Sequence, residues 1–382
     1  MRIEQLTWND PGGWVSDRML QGNANLVLYF GANEALRQAA VWQDLARQFP
    51  TALIVGCGTG SHIQGGEIRD GGVAAVAIRY AATSLKLARA AIEAAGASFA
   101  CGANLAAQLL QADLAGVLVL SDGVAVNGSR LIAGMASVLG SKVPLSGGLA
   151  GDGAAFRETL VGGNDQPRPQ RVAAVGFYGT AVRFGYGSAG GWDAFGPPRQ
   201  VTRVRDNVLY ELDGKPALDL YAHYLGDEAA GLPATALVYP LTIVDPSCTG
   251  DGLVRTVLGV DQQSRSMIFA ADIPAHATVQ LMRGTLQRVT DGAGEAARRA
   301  QIGFASDIAG DTLALLISCV GRRLLLGQRT EEEIDAVGEA LPVRCARLGF
   351  YSHGEIAPYA ATGGCVLHNQ TMSITLMAEA VE

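Results

Sequence analysis

A cysteine inside a glycine-rich segment is the first feature of this chain that could carry chemistry. Cys57 stands in residues 56–60 (Gly-Cys-Gly-Thr-Gly), directly after the predicted strand at residues 51–55 (Thr-Ala-Leu-Ile-Val). The segment lacks the lysine of a P-loop and the last glycine of a dinucleotide fingerprint, so it is not typical of a nucleotide site. Cys57 is a candidate nucleophile, with His62 as its base and Glu67 as the acid that orients the base. The alternative is a small apolar side chain buried after a strand.

Two adjacent arginines are the second such feature. Arg322 and Arg323 follow an apolar stretch and Cys319 in the second half of the chain. A guanidinium group pairs bidentately with a carboxylate, so one interpretation is a small acidic ligand. The other is that one arginine neutralises Glu355 or another buried acid of the same chain.

A glycine next to an acidic residue recurs after the strand that follows each helix. Such pairs are common in turns, where glycine adopts positive φ and the carboxylate accepts backbone N–H groups. They would instead form a binding site if equivalent strand-end loops converge on one cleft. The four pairs are Gly66-Glu67, Gly151-Asp152, Gly250-Asp251 and Gly354-Glu355.

The elements that must position these residues form four segments with the same order: strand, helix, strand, glycine–acid turn and further strands. This alternation predicts a mixed α/β (α+β) fold, and the paired strands after each helix favour mixed sheets. We expect two lobes built from about four such quasi-repeats. The expected strands are residues 25–30, 51–55, 73–80, 116–120, 143–146, 158–161, 171–177, 208–212, 236–244, 254–260, 266–271, 313–318, 347–351 and 371–377, and the expected helices are residues 34–48, 84–95, 104–111, 129–139, 216–225, 294–305 and 331–340.

The glycines and prolines of residues 187–199 predict a domain boundary. We therefore expect an N-terminal segment at residues 1–23, a first domain at residues 24–196 and a second at residues 197–382.

Composition excludes several classes of function. The 382 residues carry 29 Lys and Arg against 36 Asp and Glu, a net charge of −7 that disfavours non-specific nucleic-acid binding. The sequence contains no stretch of 18 or more apolar residues, so it predicts no membrane span. The six cysteines form no CxxC pair, which disfavours a zinc knuckle. The sequence is typical of a cytoplasmic protein with reduced thiols.

Several motifs together resemble those of the FIST family, whose members have an N-terminal and a C-terminal FIST domain. The second half matches at residues 319–330 (Cys-Val-Gly-Arg-Arg-Leu-Leu-Leu-Gly-Gln-Arg-Thr), 350–356 (Phe-Tyr-Ser-His-Gly-Glu-Ile) and 367–372 (Leu-His-Asn-Gln-Thr-Met). The first half matches at residues 147–152 (Gly-Gly-Leu-Ala-Gly-Asp). The resemblance covers about residues 24–378.

One motif departs from the family pattern. The first FIST signature usually reads Gly-Cys-Ser-Thr-small-Gly-Glu. Here Gly58 replaces the serine, and residues 61–65 are inserted before Gly66-Glu67. The insertion brings His62 into the suspected site and bears on whether this member keeps the common ligand.

The resemblance implies an intracellular sensor of a small ligand, such as an amino acid, and not an enzyme. Because the two FIST halves occupy the chain, a signal would pass to a separate partner, such as a histidine kinase or a cyclic-dinucleotide signalling protein. Some members resemble haem proteins that sense nitric oxide, so a haem sensor with His62 or His368 as iron ligand is a second hypothesis. His223, His276 and His353 are the other histidines. A cysteine-dependent enzyme that uses Cys57 is a third hypothesis.

For the sensor, backbone N–H groups of residues 56–59 and 147–151 are expected to hold ligand oxygens. Arg322 or Arg323 would pair with a ligand carboxylate, and the acidic turns would receive an ammonium group or hold their loops. The predicted ligand-binding residues are Gly56, Cys57, Gly58, Thr59, His62, Glu67, Gly148, Gly151, Asp152, Cys319, Arg322, Arg323, Glu355, His368, Asn369 and Gln370.

Overall fold

The computed structural model describes residues 1–10, 12–16, 20, 23–244, 252–304, 307–359 and 364–380. Its strands are, in chain order, β1 Arg2–Asn9, β2 Gly13–Ser16, β3 Leu26–Gly31, β4 Leu53–Gly58, β5 His62–Gln64, β6 Glu67–Arg69, β7 Val73–Arg79, β8 Ser84–Ala91, β9 Leu114–Ser121, β10 Leu145–Leu149, β11 Val161–Gly163, β12 Arg171–Tyr178, β13 Val182–Ala189, β14 Asp193–Arg205, β15 Val208–Leu212, β16 Lys215–Pro216, β17 Leu241–Val244, β18 Leu253–Arg255, β19 Val257–Asp261, β20 Ser266–Phe269, β21 Thr278–Arg283, β22 Ile308–Cys319, β23 Cys345–Ser352, β24 Gly354–Pro358, β25 Cys365–His368 and β26 Met372–Ala380. The α-helices are α1 Asn33–Leu36, α2 Ala39–Gln48, α3 Ser98–Leu109, α4 Gly128–Leu139, α5 Ala217–Leu225, α6 Leu286–Gln301, α7 Val320–Leu326 and α8 Glu331–Ala340, with 3₁₀ helices at Ala95–Ala97, Gly226–Gly231, Ala234–Val238 and Gly327–Arg329.

In the described part of the chain, three six-stranded mixed sheets enclose a central hydrophobic core. Sheet I has the order β11-β4-β3-β7-β1-β2, sheet II β25-β24-β10-β9-β12-β8, and sheet III β13-β26-β22-β23-β5-β6. Apolar side chains from all three sheets meet in this core. The predicted mixed α/β class is confirmed.

The strands of these sheets are apolar on both faces because each sheet is covered twice. In β22, Leu313, Leu315 and Ile317 face the central core, while Ala314 and Leu316 pack with helices α6 and α8. Successive side chains of a strand point to opposite faces, so a doubly covered strand reads as a continuous apolar run. The short apolar runs recognised in the sequence have this cause.

A fourth sheet, with the path β18-β17-β21-β14-β15-β20-β19 and β16 paired to β15, builds a separate core with helix α5. We call it sheet IV. Its predicted strand at residues 236–244 is only partly right. The 3₁₀ helix Ala234–Val238 comes first, and strand β17 begins after Pro240, which has no N–H to donate.

The two halves of the chain exchange strands. Strands β5 and β6 of the first half lie in sheet III, where β5 pairs antiparallel with β23. Strands β24 and β25 of the second half lie in sheet II, where β24 pairs antiparallel with β10. Short segments therefore cross between sheets at one end of the central core.

The helix predicted at residues 84–95 is wrong. Ser84–Ala91 is the edge strand β8, which pairs antiparallel with β12. Leu85 and Leu87 pack on the central core from alternate positions. Ala88 and Ala90 pack on the opposite face of the sheet. Alanine-rich composition favours a helix, but strand pairing and the packing of alternate side chains on two cores override that weak preference.

The helices predicted at residues 104–111 and 294–305 begin too late in the prediction. Helix α3 starts at Ser98 and helix α6 at Leu286. Helix α6 contains Gly292, where a Cβ would lie 2.7 Å from the backbone of Gly190 and Gly191. Glycine lowers helix propensity, which hid the first turns of α6 from sequence reasoning.

Residues 187–199, where the sequence predicts a domain boundary, form strand over most of their length, because they belong to β13 and β14. At Gly187 a Cβ would lie 2.0 Å from the carbonyl oxygen of Ala296 in helix α6. Gly187 therefore allows strand β13 to pack closely on helix α6. Pro197 and Pro198 lie where the pairing of β14 with β21 shifts register.

Across the described ranges, no helix combines the length and the apolar character needed to cross a membrane.

Candidate functional site

The crossing segments bring several predicted residues together. The Gly151 N–H donates to the Gly58 carbonyl oxygen over 2.9 Å. The Thr59 hydroxyl donates to the Tyr351 carbonyl oxygen over 2.8 Å, and the Tyr351 N–H donates to the Ser61 carbonyl oxygen over 3.0 Å. The first glycine-rich segment, the loop after β10 and the end of β23 therefore form one hydrogen-bonded cluster.

The predicted cradle of free N–H groups is not present at these positions. The Gly58 N–H donates to the Leu160 carbonyl oxygen over 2.8 Å and the Thr59 N–H to the Gly31 carbonyl oxygen over 2.9 Å. Gly56 and Gly148 lie inside strands β4 and β10. These glycines permit close backbone packing and leave no free donor for a ligand oxygen at Gly58, Thr59 or Gly151.

Asp152 holds the loop that follows it. Its carboxylate accepts the N–H groups of Phe156, Arg157 and Glu158 over 2.8, 2.8 and 3.1 Å, and it lies 3.3 Å from Nε2 of His353. Burial opposes ionisation, but the hydrogen bonds from His353 and from these N–H groups lower the pKa of Asp152 overall. The loop-holding alternative for this acidic turn fits the contacts.

Glu355 is a fully buried carboxyl group beside Cys319. It accepts from the hydroxyls of Ser352 and Thr371 over 2.6 and 2.9 Å, and from the Thr371 N–H over 3.3 Å. Burial raises the pKa of Glu355 to about 8. Burial, followed by the nearby Glu355, also raises the pKa of the Cys319 thiol. Cys319 ends strand β22, directly before helix α7, and Glu355 lies in strand β24.

Arg322 does not face a ligand. It is fully buried, and its guanidinium group lies 2.8 Å from the Glu333 carboxylate at Nη2 and 3.0 Å at Nε. It also donates to the carbonyl oxygens of Gly190 and Val289 over 2.8 and 2.7 Å. The predicted pairing of Arg322 with a ligand carboxylate is replaced by an internal ion pair with a buried acid.

Arg323 is held differently. Its Nη1 donates to the Gly327 carbonyl oxygen and the Thr330 hydroxyl, each over 2.9 Å. Its Nη2 contacts both carboxylate oxygens of Asp70 at 3.3 and 3.2 Å, while its Nε is buried and has no hydrogen-bond partner among the described residues. One edge of this guanidinium group is therefore only loosely satisfied.

A cavity of about 330 Å³ opens between the loop after Asp152, sheet IV and helix α7. We call it the junction cavity. Phe156, Leu258 and Leu324 line it and stay 41%, 43% and 43% exposed. Exposed apolar side chains grouped around a concavity are typical of a ligand site. The other lining residues are Ala154, Pro233, Ala234, Leu237, Thr256, Val257, Ala270, Cys319, Val320, Gly321, His353 and Asn369.

A second cavity of about 320 Å³ adjoins the first. We call it the arginine cavity, because Arg323 and Asp70 line it. Val320 and Leu324 of helix α7 belong to the walls of both cavities. The remaining lining residues are Gly60, Ser61, Gly153, Gly327 and Tyr351.

The segment 368–370 supplies buried polar groups next to the junction cavity. Asn369 lines the cavity and donates through Nδ2 to the His368 carbonyl oxygen over 2.9 Å, but its Oδ1 has no partner within the described part of the chain. The Thr256 hydroxyl, also at the cavity, is likewise unpartnered there. Gln370 adopts φ 59° and donates to the Leu237 carbonyl oxygen over 3.2 Å, which ties this segment to the 3₁₀ helix Ala234–Val238 that precedes strand β17 of sheet IV.

Cys57 and Glu67 line neither the junction cavity nor the arginine cavity. Cys57 is fully buried in the central core, and burial raises its pKa well above the ordinary value. A reactive cysteine needs an accessible thiolate, so this placement opposes the Cys57 enzyme hypothesis. Glu67 is exposed, pairs with Arg69 and lines a different open cleft. The predicted Gly250-Asp251 turn lies outside the described residues.

The histidines proposed for haem do not fit that group. Burial, then Arg69, lowers the pKa of His62 to about 4, and burial, then Arg255, lowers that of His368 to about 4. Both imidazoles are thus neutral, as iron ligation requires. Neither lines the junction cavity or the arginine cavity, so neither aims into a described space that a macrocycle could enter. Among the described residues no group of His, Cys, Asp or Glu is arranged to hold a metal ion.

Sequence reasoning missed residues that the fold brings to the site. Asp70 stands before Gly71 and Gly72 and has the sequence context of an ordinary turn. Glu333 is the third of three consecutive glutamates at the start of α8, and only its burial distinguishes it as the partner of Arg322. Leu258, in sheet IV, carries no sequence signal for the cavity at all.

Family comparisons agree with the two-part organisation of the motifs. The FIST N domain matches residues 25–215, and the FIST C domain matches residues 217–358. The chain belongs to the FIST family. FIST domains are small-ligand sensory domains. The junction cavity takes Phe156 from the FIST N range and Leu258 and Leu324 from the FIST C range.

Solved structures similar to this FIST chain are remote. One, described as "Cyanuric acid hydrolase: evolutionary innovation by structural concatenation", is 12% identical, with 99% of this chain and 98% of that chain covered and a TM-score of 0.34. A second, the cyanuric acid hydrolase of A. caulinodans, is 11% identical, with 78% and 100% covered and a TM-score of 0.19. These scores are too low to transfer chemistry. None of the curated proteins matches the chain.

Proposed function

We propose that this FIST protein is a sensor that binds a small organic molecule in the junction cavity. The observation that carries the proposal is the ring of half-exposed Phe156, Leu258 and Leu324 around a concavity whose wall also includes buried Asn369 and Thr256. An apolar lining with a few polar groups is the usual composition of a small-molecule site.

The ligand class follows from the lining. The apolar walls favour a compact hydrocarbon body, and the unpartnered Oδ1 of Asn369 favours a hydrogen-bond donor on the ligand. An amino acid with an apolar side chain belongs to this class. Because both FIST domains line the cavity, the ligand would bind both and change the equilibrium between their arrangements.

The bound protein would then act on a separate signalling protein, such as a histidine kinase or a cyclic-dinucleotide enzyme. This part of the proposal has its support in the sensory role of the FIST family alone.

The test is a thermal-shift screen with amino acids and matched small apolar amides and carboxylates. A ligand at 100 times its Kd adds about 2.7 kcal/mol to the stability of the bound protein. We expect at least one compound to raise the Tm of the wild type and of Ile302→Asp, an exposed apolar position at neither cavity. Leu258→Asp, which puts a charge on the cavity rim, should abolish that shift. Equal shifts in Leu258→Asp and the wild type would refute the site.

A further inference from the structure

Arg323 has one unsatisfied edge beside the proposed ligand site. Its Nη1 is fixed by Gly327 and Thr330, whereas its Nε has no partner among the described residues. A carboxylate binds best to a guanidinium group through two parallel N–H···O bonds. The Nε and Nη2 atoms form such an edge, and only Nη2 is in use.

The group that uses Nη2 is an acid of the same chain at longer than ideal distance. Asp70 contacts Nη2 at 3.2 and 3.3 Å, beyond the 2.7–2.9 Å common for charge-assisted bonds. Its side chain is 67% exposed, while that of Arg323 is 26% exposed. An exposed ion pair contributes little, about 0–1 kcal/mol, so Asp70 is easily displaced.

Asp70 also has a second hydrogen-bond partner besides Arg323. It accepts from the Ser61 hydroxyl over 2.6 Å, independently of Arg323. That hydrogen bond, followed by Arg323, keeps the pKa of Asp70 below its ordinary value, so it is a carboxylate at neutral pH. Turning away from Arg323 leaves Asp70 charged, solvated and hydrogen-bonded.

The arginine cavity and the junction cavity adjoin each other at helix α7. Val320 and Leu324 belong to both walls, and of the consecutive residues Gly153 and Ala154 the first lines the arginine cavity and the second lines the junction cavity. A ligand whose apolar body lies over Leu324 can therefore place its polar end near Arg323.

We propose that the ligand is an apolar carboxylate whose carboxylate group binds the Nε–Nη2 edge of Arg323, and that Asp70 is a built-in competitor for that edge. This inference rests on the proposed function. Asp70 sets a threshold, because the ligand must displace it before it can bind. The residue therefore weakens ligand binding, whereas a residue that received a ligand ammonium group would strengthen it.

The experiment compares three probes with the same hydrocarbon body: 4-methylpentanoate, 4-methylpentanamide and leucine. Affinities are measured by calorimetry on the full chain. We expect the carboxylate to bind wild type, to bind Asp70→Asn at least threefold more tightly, and to bind Arg323→Gln at least tenfold more weakly. Arg323→Lys keeps the positive charge but loses the two parallel N–H groups, so its affinity for the carboxylate should lie between those of the wild type and Arg323→Gln. 4-Methylpentanamide should bind all three variants with the same affinity as it binds the wild type.

The matched control is Arg329→Gln, because Arg329 is an exposed arginine paired with Glu332 and lines neither cavity. It should bind 4-methylpentanoate as the wild type does. Weaker carboxylate binding by Asp70→Asn would overturn the inference, and so would unchanged binding by Arg323→Gln and Arg323→Lys. Binding of leucine alone, lost in Asp70→Asn, would also overturn it, since Asp70 would then receive an ammonium group.

Failure of this inference can be told from failure of the proposed function. If Leu258→Asp abolishes binding of every probe while the Asp70 and Arg323 variants change nothing, the cavity is the site and the carboxylate assignment is wrong. If Leu258→Asp leaves the binding of every probe unchanged, the junction cavity is not the site and both proposals fall.

Discussion

The ion pair of Arg322 and Glu333 is a fully buried polar contact between helices α7 and α8. Neither side chain is exposed, and the Glu333 carboxylate also accepts from the hydroxyls of Ser318 and Tyr351 over 3.1 and 2.7 Å. Such a pair holds helices α7 and α8 together with the end of strand β22. Removing one partner leaves an unpaired charge in a low-dielectric interior.

We expect Arg322→Met to lower the free energy of unfolding by about 3–5 kcal/mol. The measurement is denaturant unfolding at neutral pH. Arg329→Met, which removes an exposed arginine, should cost at most about 1 kcal/mol. An Arg322→Met cost as small as that of the control would mean that Glu333 does not need its partner.

Glu355 makes stability depend on pH in a direction opposite to most carboxyl groups. Its pKa in the folded protein, about 8, lies above its unfolded value, so the folded state keeps a proton that the unfolded state releases. Its contribution is complete below the unfolded pKa and is lost as the pH rises toward 8. Over that window it lowers the free energy of unfolding by about 1.4 kcal/mol per pH unit.

We therefore expect Glu355→Gln to unfold with a weaker pH dependence than the wild type between pH 6 and pH 8, and to gain relative stability at pH 8. Denaturant unfolding at several pH values measures both slopes. Parallel slopes would show that Glu355 is already ionised in the folded protein. Asp307→Asn, at an exposed position, is the matched control.

At the scale of elements, the loop after β10 depends on the side chain of Asp152. Asp152 accepts three consecutive N–H groups and positions Phe156, which stacks on His353 with ring centroids 4.3 Å apart. This loop forms one wall of the junction cavity. The order of this cavity wall therefore depends on the hydrogen bonds that Asp152 accepts.

We expect Asp152→Ala to accelerate hydrogen exchange at Phe156, Arg157 and Glu158, because their N–H groups lose their acceptor. The variant should cost about 1–3 kcal/mol of stability and weaken ligand binding. Exchange measured by mass spectrometry, with Asp307→Ala as the exposed control, tests this. Unchanged protection of these three N–H groups would contradict the loop-holding role.

Helices and strands with strong local sequence signals lie where the sequence predicts them. Predictions fail at elements whose conformation depends on distant partners. Strands β3, β7 and β9 and helices α4, α5 and α8 lie close to the expected ranges because apolar periodicity and turns mark them locally. Strand β8 was expected as a helix because only its pairing with β12 fixes its conformation. The start of strand β14 carries no strand signal, because glycine and prolines there favour turns in the sequence.

At the scale of the whole molecule, the exchange of strands makes each half an incomplete structure. Strand β5 has its partner β23 in the second half, and strand β24 has its partner β10 in the first. Unpaired, these edges would expose backbone N–H and C=O groups. The central core also takes side chains from both halves.

We expect residues 1–215 expressed alone to show no cooperative thermal unfolding, and co-expression with residues 216–382 to restore it. Calorimetry on the purified fragment, the reconstituted pair and the intact chain measures this. A fragment that unfolds cooperatively with the Tm of the intact chain would show that the exchanged strands are dispensable.

The sequence by itself determined the family, the mixed α/β class and most of the local elements, because motifs, apolar periodicity and turn residues are read over a few neighbouring positions. It also marked Asp152, Cys319, Arg323 and Asn369 near the site. Only the tertiary structure decided that Arg322 is an internal partner of Glu333, that Cys57 lies in the core, and that Asp70 meets Arg323 from far along the chain. Burial and pairing across distant segments decide which side chains remain free for a ligand, and no local pattern encodes them.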